Sequence, residues 1–485
     1  ALLTRALDLA EADTSLPVEL APTERLLGEA LFASGHLEEG RVRLERAVRY
    51  LGGPVPTLST ARTSATVAGQ IVRQILHRVA PSYFIGRART TEARARMLLL
   101  SRAYERIGHC HYQVGRSLPT VCASLLNLNS SERAGPSNEL ARSYGTQIVG
   151  AGMVGQHRMA RMYMRLAEEA VRDITDQSVL GWVDLMTVTY LVGACAWAEM
   201  DVIIPRATAI QEALGDRRRL QETVMVGACG DFFRGRFAQS LSASQRVAKL
   251  AVDAEGFQPR VWSTAGLVQA GVVRDGADET LRRLAGSPTI GHTWQSIDGL
   301  WLAGALARCY LRAGNLEAAR VEAERVLELM PKTPPVAGYV LEGYAGATEV
   351  YMALWAGTDS HAAQDSARAA AKRCLITLER FAGMFPVGEP RAALCRGFYE
   401  RGRGRDSRAA AAFERSRAAG IRLEMPYEVA LATAELGLLL GPRHSRGAAL
   451  LDQAYHAFET LNATDDARLT ERRRRASGAG STSVN

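Results

Sequence analysis

Lysine is almost missing from this sequence. Only Lys249, Lys332 and Lys372 accompany 56 arginines among the 59 basic residues, and these are interspersed with 51 acidic ones. Arginine dispersed in this way makes a solvated, ion-paired helical surface, so the formal net charge of +8 does not indicate a nucleic-acid footprint. Aromatic residues are few, at 6%, and alternating strand patterns are scarce. Asp275-Gly276 offers a hairpin dipeptide, but it follows an Ala/Gly/Val run that suits a helix. The seven cysteines stand singly with no CxxC pair, which excludes a disulfide framework and fits small core residues in a reduced, cytoplasmic setting. The longest apolar stretch, around Val188 to Ala198, is too short to span a bilayer. HExxH, GxSxG and the GK dipeptide of a phosphate loop are all missing, so the sequence offers no catalytic residue and calls for no cofactor.

What the chain does contain is a repeating helical hairpin, clearest between Trp301 and Pro331. Leu306, Ala307 and Tyr310 mark one helix, Gly314-Asn315 breaks it, and Ala319, Ala323 and Val326 place small residues at each turn of a second. In this register Ala319 faces its partner helix and Glu322 faces solvent. The same template fits Leu27, Gly28, Gly35, Gly40 and Leu44, then Ile107, Gly108, His111 and Gly115, then Gly397, Gly404, Ala409 and Phe413. Further turns are expected at Gly155, Met200-Asp201, Gly235-Arg236 and Gly441. A hairpin of this kind cannot bury its apolar face alone, so copies must stack. The expected fold is all-α, a right-handed superhelical α-solenoid of roughly nine to eleven tetratricopeptide-like hairpins. It would cover residues 1–465, with a candidate break between two sub-arrays near 270–295, and residues 466–485 would form a disordered tail, Arg-rich and then Gly/Ser-rich. The sequence opens inside helical composition without a methionine, as expected of a piece of a longer protein.

Two local patterns compete with this reading. Gly150, Gly152 and Gly155 form a GxGxxG string, which in an oxidoreductase would cradle NAD(P) or FAD between a strand and a helix. Residues 140–148 read equally as a helix running into a glycine turn, and no succession of strands follows. His109, Cys110, His111 and Cys122 are metal-ligand types, but consecutive helical residues point about 100° apart and cannot converge on one ion, so no metal site is expected.

Leu128 to Tyr144, which reads LNSSERAGPSNELARSY, resembles the C-terminal repeat region of large bacterial signalling proteins. In that family a class III nucleotide cyclase precedes an AAA/STAND ATPase and then tetratricopeptide-like repeats. Arg73 to Arg78, Arg102 to Ile107 and Ala454 to Leu461 are similar too. The resemblance implies a non-catalytic regulatory arm in which repeats sense a protein or peptide, including the parent chain's own cyclase and ATPase domains. The cyclase's metal-binding aspartates and the ATPase's phosphate loop have no counterpart in this sequence, so no catalytic residue carries over. The alternative is the sensor arm of a large ATP-dependent transcription regulator.

In the repeat template the first helix of each pair lines the concave groove. The expected groove residues are Glu105, His109 and Tyr112 in one repeat, Arg308 and Arg312 in another, and Arg391, Phe398 and Arg401 near the end. Guanidinium groups and rings there suit a carboxylate-bearing peptide.

Overall fold

The computed structural model describes residues 17–56, 59–252, 257–290, 296–333 and 335–479. These residues form 23 α-helices and two short 3-10 turns, with no strand among them. In chain order the helices are α1 Pro17–Ala33, α2 Leu37–Tyr50, α3 Thr60–Val79, α4 Pro81–Phe84, α5 Thr91–Gln113, α6 Ser117–Ala134, α7 Asn138–Met153 and α8 His157–Val171. Then come α9 Gln177–Ala194, α10 Trp197–Leu214, α11 Arg217–Phe233, α12 Phe237–Leu250, α13 Gln258–Arg274, α14 Ala277–Leu284, α15 Ile297–Arg312 and α16 Leu316–Leu329. The last are α17 Leu341–Ala356, α18 His361–Met384, α19 Glu389–Gly402, α20 Asp406–Arg422, α21 Pro426–Leu440, α22 Ser445–Thr460 and α23 Thr464–Ala479. Setting aside α3, α4 and α23, the other twenty make ten consecutive hairpins, within the expected range.

Glycine in the left-handed conformation reverses the chain where the template requires it. Gly314 between α15 and α16 has φ +77°, and Asn315 then caps α16 by accepting from the Ala318 N–H at 3.1 Å. The turn expected at Met200-Asp201 lies elsewhere. Both residues are inside α10, and the chain reverses at Cys195, a non-glycine residue at φ +56°. A left-handed cysteine leaves no trace in a search for glycine turns. Small residues close the pairs as expected: Ala319, Ala323 and Val326 are fully buried on α16. Glu322 corrects the register on one point, because it is buried too and holds Arg325 at 2.7 Å.

The helices group into two compact units, residues 1–151 with 157–187 and residues 152–156 with 188–485. The stretch near 270–295 is not where they part. Gln269 on α13 accepts a hydrogen bond from the Trp301 indole on α15 at 3.0 Å, which ties the helices on either side of it together. Residues 291–295 of that stretch lie outside the described residues.

The dinucleotide alternative and the expected disordered tail both fall away. Helix α7 runs through Gly150 and Gly152, and Gly155 forms the following turn at φ +69°, so no strand precedes the glycines as a dinucleotide site requires. Gly152 instead packs on the Tyr190 ring. The arginine run is ordered as part of α23, where Arg473 pairs with Glu435 at 2.8 Å, Arg474 with Asp452 at 2.6 Å and Arg475 with Glu471 at 2.9 Å. Asp465 and Asp466 at its first turn suit the positive end of the helix dipole. The tail expected to be disordered over 466–485 is therefore helical to residue 479, and residues 480–485 lie outside the described residues.

Candidate partner-binding faces of the first helices

In the first unit, the first helices carry a continuous row of rings and charges. His109 on α5 lies between Phe32 on α1, at 6.3 Å between ring centroids, and Trp182 on α9, at 5.6 Å. Arg142 on α7 stacks over Trp182 at 4.8 Å and grips Glu105 with two hydrogen bonds of 2.5 and 3.2 Å. This fork fixes the Glu105 carboxylate. Burial pushes its pKa up, but Arg142, His109 and Arg106 outweigh burial and hold it far below the usual range. Arg106 lies 5.7 Å over Phe32, and Arg102, exposed one turn earlier, reaches Glu139 at 2.5 Å. His109 and Tyr112 are half-buried. Glu105, His109 and Tyr112 thus share one face, with Glu105 held by the chain's own arginine.

Next to this row, His111 is fully buried and both its ring nitrogens lack a hydrogen-bond partner. Burial first, then the nearby charges of Arg41 and Arg116, lower its pKa to about 4, with Glu38 opposing. The unfolded imidazole takes up its proton near pH 6.5, well above the folded one. Stability conferred by neutral His111 is therefore complete above that pH and is lost as pH falls toward 4. Between about pH 7 and about pH 4.5 the first unit should lose on the order of 1–2 kcal/mol from this residue, after allowance for solvent screening. Urea titrations of wild type and His111→Phe at both pH values check this; a pH dependence unchanged by the substitution would assign it to other groups.

In the second unit the first-helix face is turned inward. Arg308 and Arg391, expected to face a partner, are 2% and 0% exposed. Arg391 on α19 holds both Glu428 oxygens at 2.6 and 3.0 Å and reaches Glu349 at 3.0 Å and Glu342 at 3.3 Å. Arg308 on α15 donates to Glu342 at 3.0 Å and to the Tyr427 hydroxyl at 2.9 Å. The Tyr427 hydroxyl in turn donates a hydrogen bond to Asp466 at 2.8 Å, and Arg312 meets the other oxygen of Asp466 at 2.6 Å. Three guanidiniums and the carboxylates of Glu342, Glu349, Glu428 and Asp466 therefore interlock helices α15, α17, α19, α21 and α23. Burial pushes Glu342 and Asp466 up, yet the arginines keep both ionised below the ordinary carboxylate range. Phe398 and Arg401 are half-buried. Arg401 rests 5.4 Å from the Phe398 ring and pairs with Glu435 at 2.7 Å, while Phe398 packs edge-on against Phe413.

Sequence reasoning missed the residues that join distant repeats. Tyr427, Glu428 and Asp466 meet α15 and α19 because the second unit brings its late helices back against its earlier ones. Phe237 packs edge-on against Tyr427 at 5.2 Å, and the Trp197 indole donates to Leu423 O at 2.7 Å. Among the described residues no group of three or more metal-ligand side chains converges on an ion site. No described helix is long and apolar enough to cross a membrane.

Neither a protein-family model nor a curated protein matches the sequence. Among solved structures, that of a Rap protein complexed with competence and sporulation factor aligns with a TM-score of 0.38 and 12% identity, over 70% of this chain and 98% of that one. The APC/C hetero-tetramer Cut9-Hcn1 aligns with a TM-score of 0.29 and 12% identity, over 94% of this chain and 90% of that one. Likenesses this distant carry no argument about what this chain binds.

Proposed function

We propose that this chain is a non-catalytic regulatory module of tetratricopeptide-like repeats that binds a protein or peptide, and that it serves as the sensor arm of a larger cyclase–ATPase signalling protein. The observation that carries the reading is the row on the first helices of the first unit. Phe32, His109 and Trp182 succeed one another across three helices, with Arg102 and Arg106 beside them. Rigid rings next to arginine recognise an extended segment bearing a carboxylate and an apolar side chain. The resemblance of residues 128–144 to cyclase–ATPase arms supplies the parent context. Regulation would require that binding favour one of two states of the domains it controls.

The test is capture of the parent's cyclase and ATPase domains by the purified chain. A His109→Ala/Arg106→Glu double variant should weaken capture at least about tenfold. Undiminished capture would remove this row from the reading, and a parent gene with no cyclase would remove the sensor-arm role.

A further inference from the structure

Helix α3 is inserted between the first and second hairpins, and its amphipathic pattern is reversed. Its buried residues are Thr63, Gln70, Gln74 and His77, a polar stripe at heptad spacing. That stripe is bound to α6. The Gln74 amide donates to Asn129 at 2.7 Å and to Glu132 at 2.6 Å, Asn129 donates to Gln70 at 2.7 Å, and His77 Nδ1 lies 2.6 Å from Glu132. The Tyr163 hydroxyl on α8 closes the set on Gln74 at 3.2 Å. These bonds fix the rotation of the helix about its axis and leave its apolar side outward.

The outward side is a heptad seam of Ala61, Ala65, Ala68, Val72, Ile75 and Val79, all exposed. Val72, Ile75 and Val79 are 57%, 56% and 77% exposed, and Ile71 and Leu76 broaden the seam at 46% and 44%. Soluble helices direct such a stripe inward. Arg62 and Arg73, both exposed, lie three turns apart along one edge of it. No acidic residue occurs between Glu45 and Glu92, a stretch that carries seven arginines.

We propose that α3 is a docking site for a single amphipathic helix of a protein partner, one with an apolar heptad stripe and acidic residues along the edge that meets Arg62 and Arg73. The seam spans nearly three heptads, about 30 Å, the length over which two helices form a stable pair. The charge balance selects the occupant. A second copy of the chain would set arginine-flanked seams against each other with no carboxylate between them, whereas an acidic helix neutralises that edge. The alanines at Ala61, Ala65 and Ala68 favour a helix over a lipid surface, since they permit close axial approach but offer a bilayer little to bury. This site is separate from the ring-and-arginine row of the proposed function, and either reading can fail without the other.

The probe is a synthetic three-heptad peptide with isoleucine and leucine on its seam and glutamate on its flanks, titrated against the full chain by fluorescence anisotropy. Saturable binding is expected. It should weaken at least about tenfold in Val72→Asp/Ile75→Asp and in Arg62→Glu/Arg73→Glu, all of them solvent-facing changes whose thermal melts verify the fold. A lysine-flanked peptide should reverse the second effect and prefer the glutamate variant. Equal affinity for wild type and both variants would overturn the proposal. So would anionic vesicles that bind the chain through Val72 and Ile75 while the peptide does not, or self-association that Val72→Asp/Ile75→Asp abolishes.

Discussion

Gly346→Val should lower the stability of the second unit by about 3–5 kcal/mol, read as a fall of roughly 10 °C in its melting temperature. Helices α15 and α17 touch through their backbones at Gly304, Gly343 and Gly346. A Cβ on Gly346 would fall inside the van der Waals envelope of the Gly304 carbonyl, and one on Gly304 would meet the Gly343 backbone. Neither neighbour is a side chain that can rotate away, so the two helices must separate along their length. That separation would also disturb Arg308 and Glu342, which bridge the same helices at 3.0 Å. Gly383→Ala is the control: this exposed glycine lies in α18 with nothing within 4 Å of its added methyl. It should be neutral or mildly stabilising, because alanine restricts the unfolded chain more than glycine does. Equal melting temperatures for the two variants would show that α15 and α17 do not approach so closely.

Much of the fold is legible in the sequence because each hairpin is written locally. A glycine that must adopt positive φ and small residues one turn apart are sufficient to place Gly314, Ala319 and Ala323 correctly. Likewise Gly135 ends α6 at φ +86° and Ser137 accepts from the Leu140 N–H at 3.2 Å, as the Gly-Pro-Ser string implies. Residues 128–144 have a structural role. Asn129 and Glu132 receive α3, and Glu139 and Arg142 receive Arg102 and Glu105. Residues 73–78 and 102–107 therefore both pack against residues 128–144.

Contacts between distant repeats are not legible in this way. Helical periodicity shows that Arg308 and Arg391 occupy the first-helix face, but it is silent about what that face meets. Tyr427 lies 119 residues beyond Arg308, and Asp466 lies 154 beyond Arg312. Helix α3 is illegible for a related reason. An apolar heptad stripe in a soluble helix ordinarily points inward, and it is the hydrogen bonds of Gln70, Gln74 and His77 that turn this one outward.

Arg391→Met should cost about 3–5 kcal/mol, because it keeps most of the side-chain volume while leaving carboxylates buried without their cation. Arg391 touches Glu342, Glu349 and Glu428, and its loss leaves Arg308 and Arg312 among four carboxylates. The pH profile separates this mechanism from loss of packing. In wild type the arginines hold Glu342 and Asp466 below their unfolded pKa, so the stability they confer is present above about pH 4.5 and is lost as pH falls further. In Arg391→Met, Glu342 loses the largest of the charges that oppose its burial, and its folded pKa rises above the unfolded value. The folded variant then binds the extra proton, and its deficit relative to wild type should shrink as pH falls from about 7 to about 5. Adding Glu428→Gln, which removes one unpaired carboxylate and keeps its shape, should recover part of the loss at neutral pH. Urea denaturation of the three proteins at both pH values decides the matter. A deficit that is the same at each pH and unchanged by Glu428→Gln would show that Arg391 acts through its packing alone.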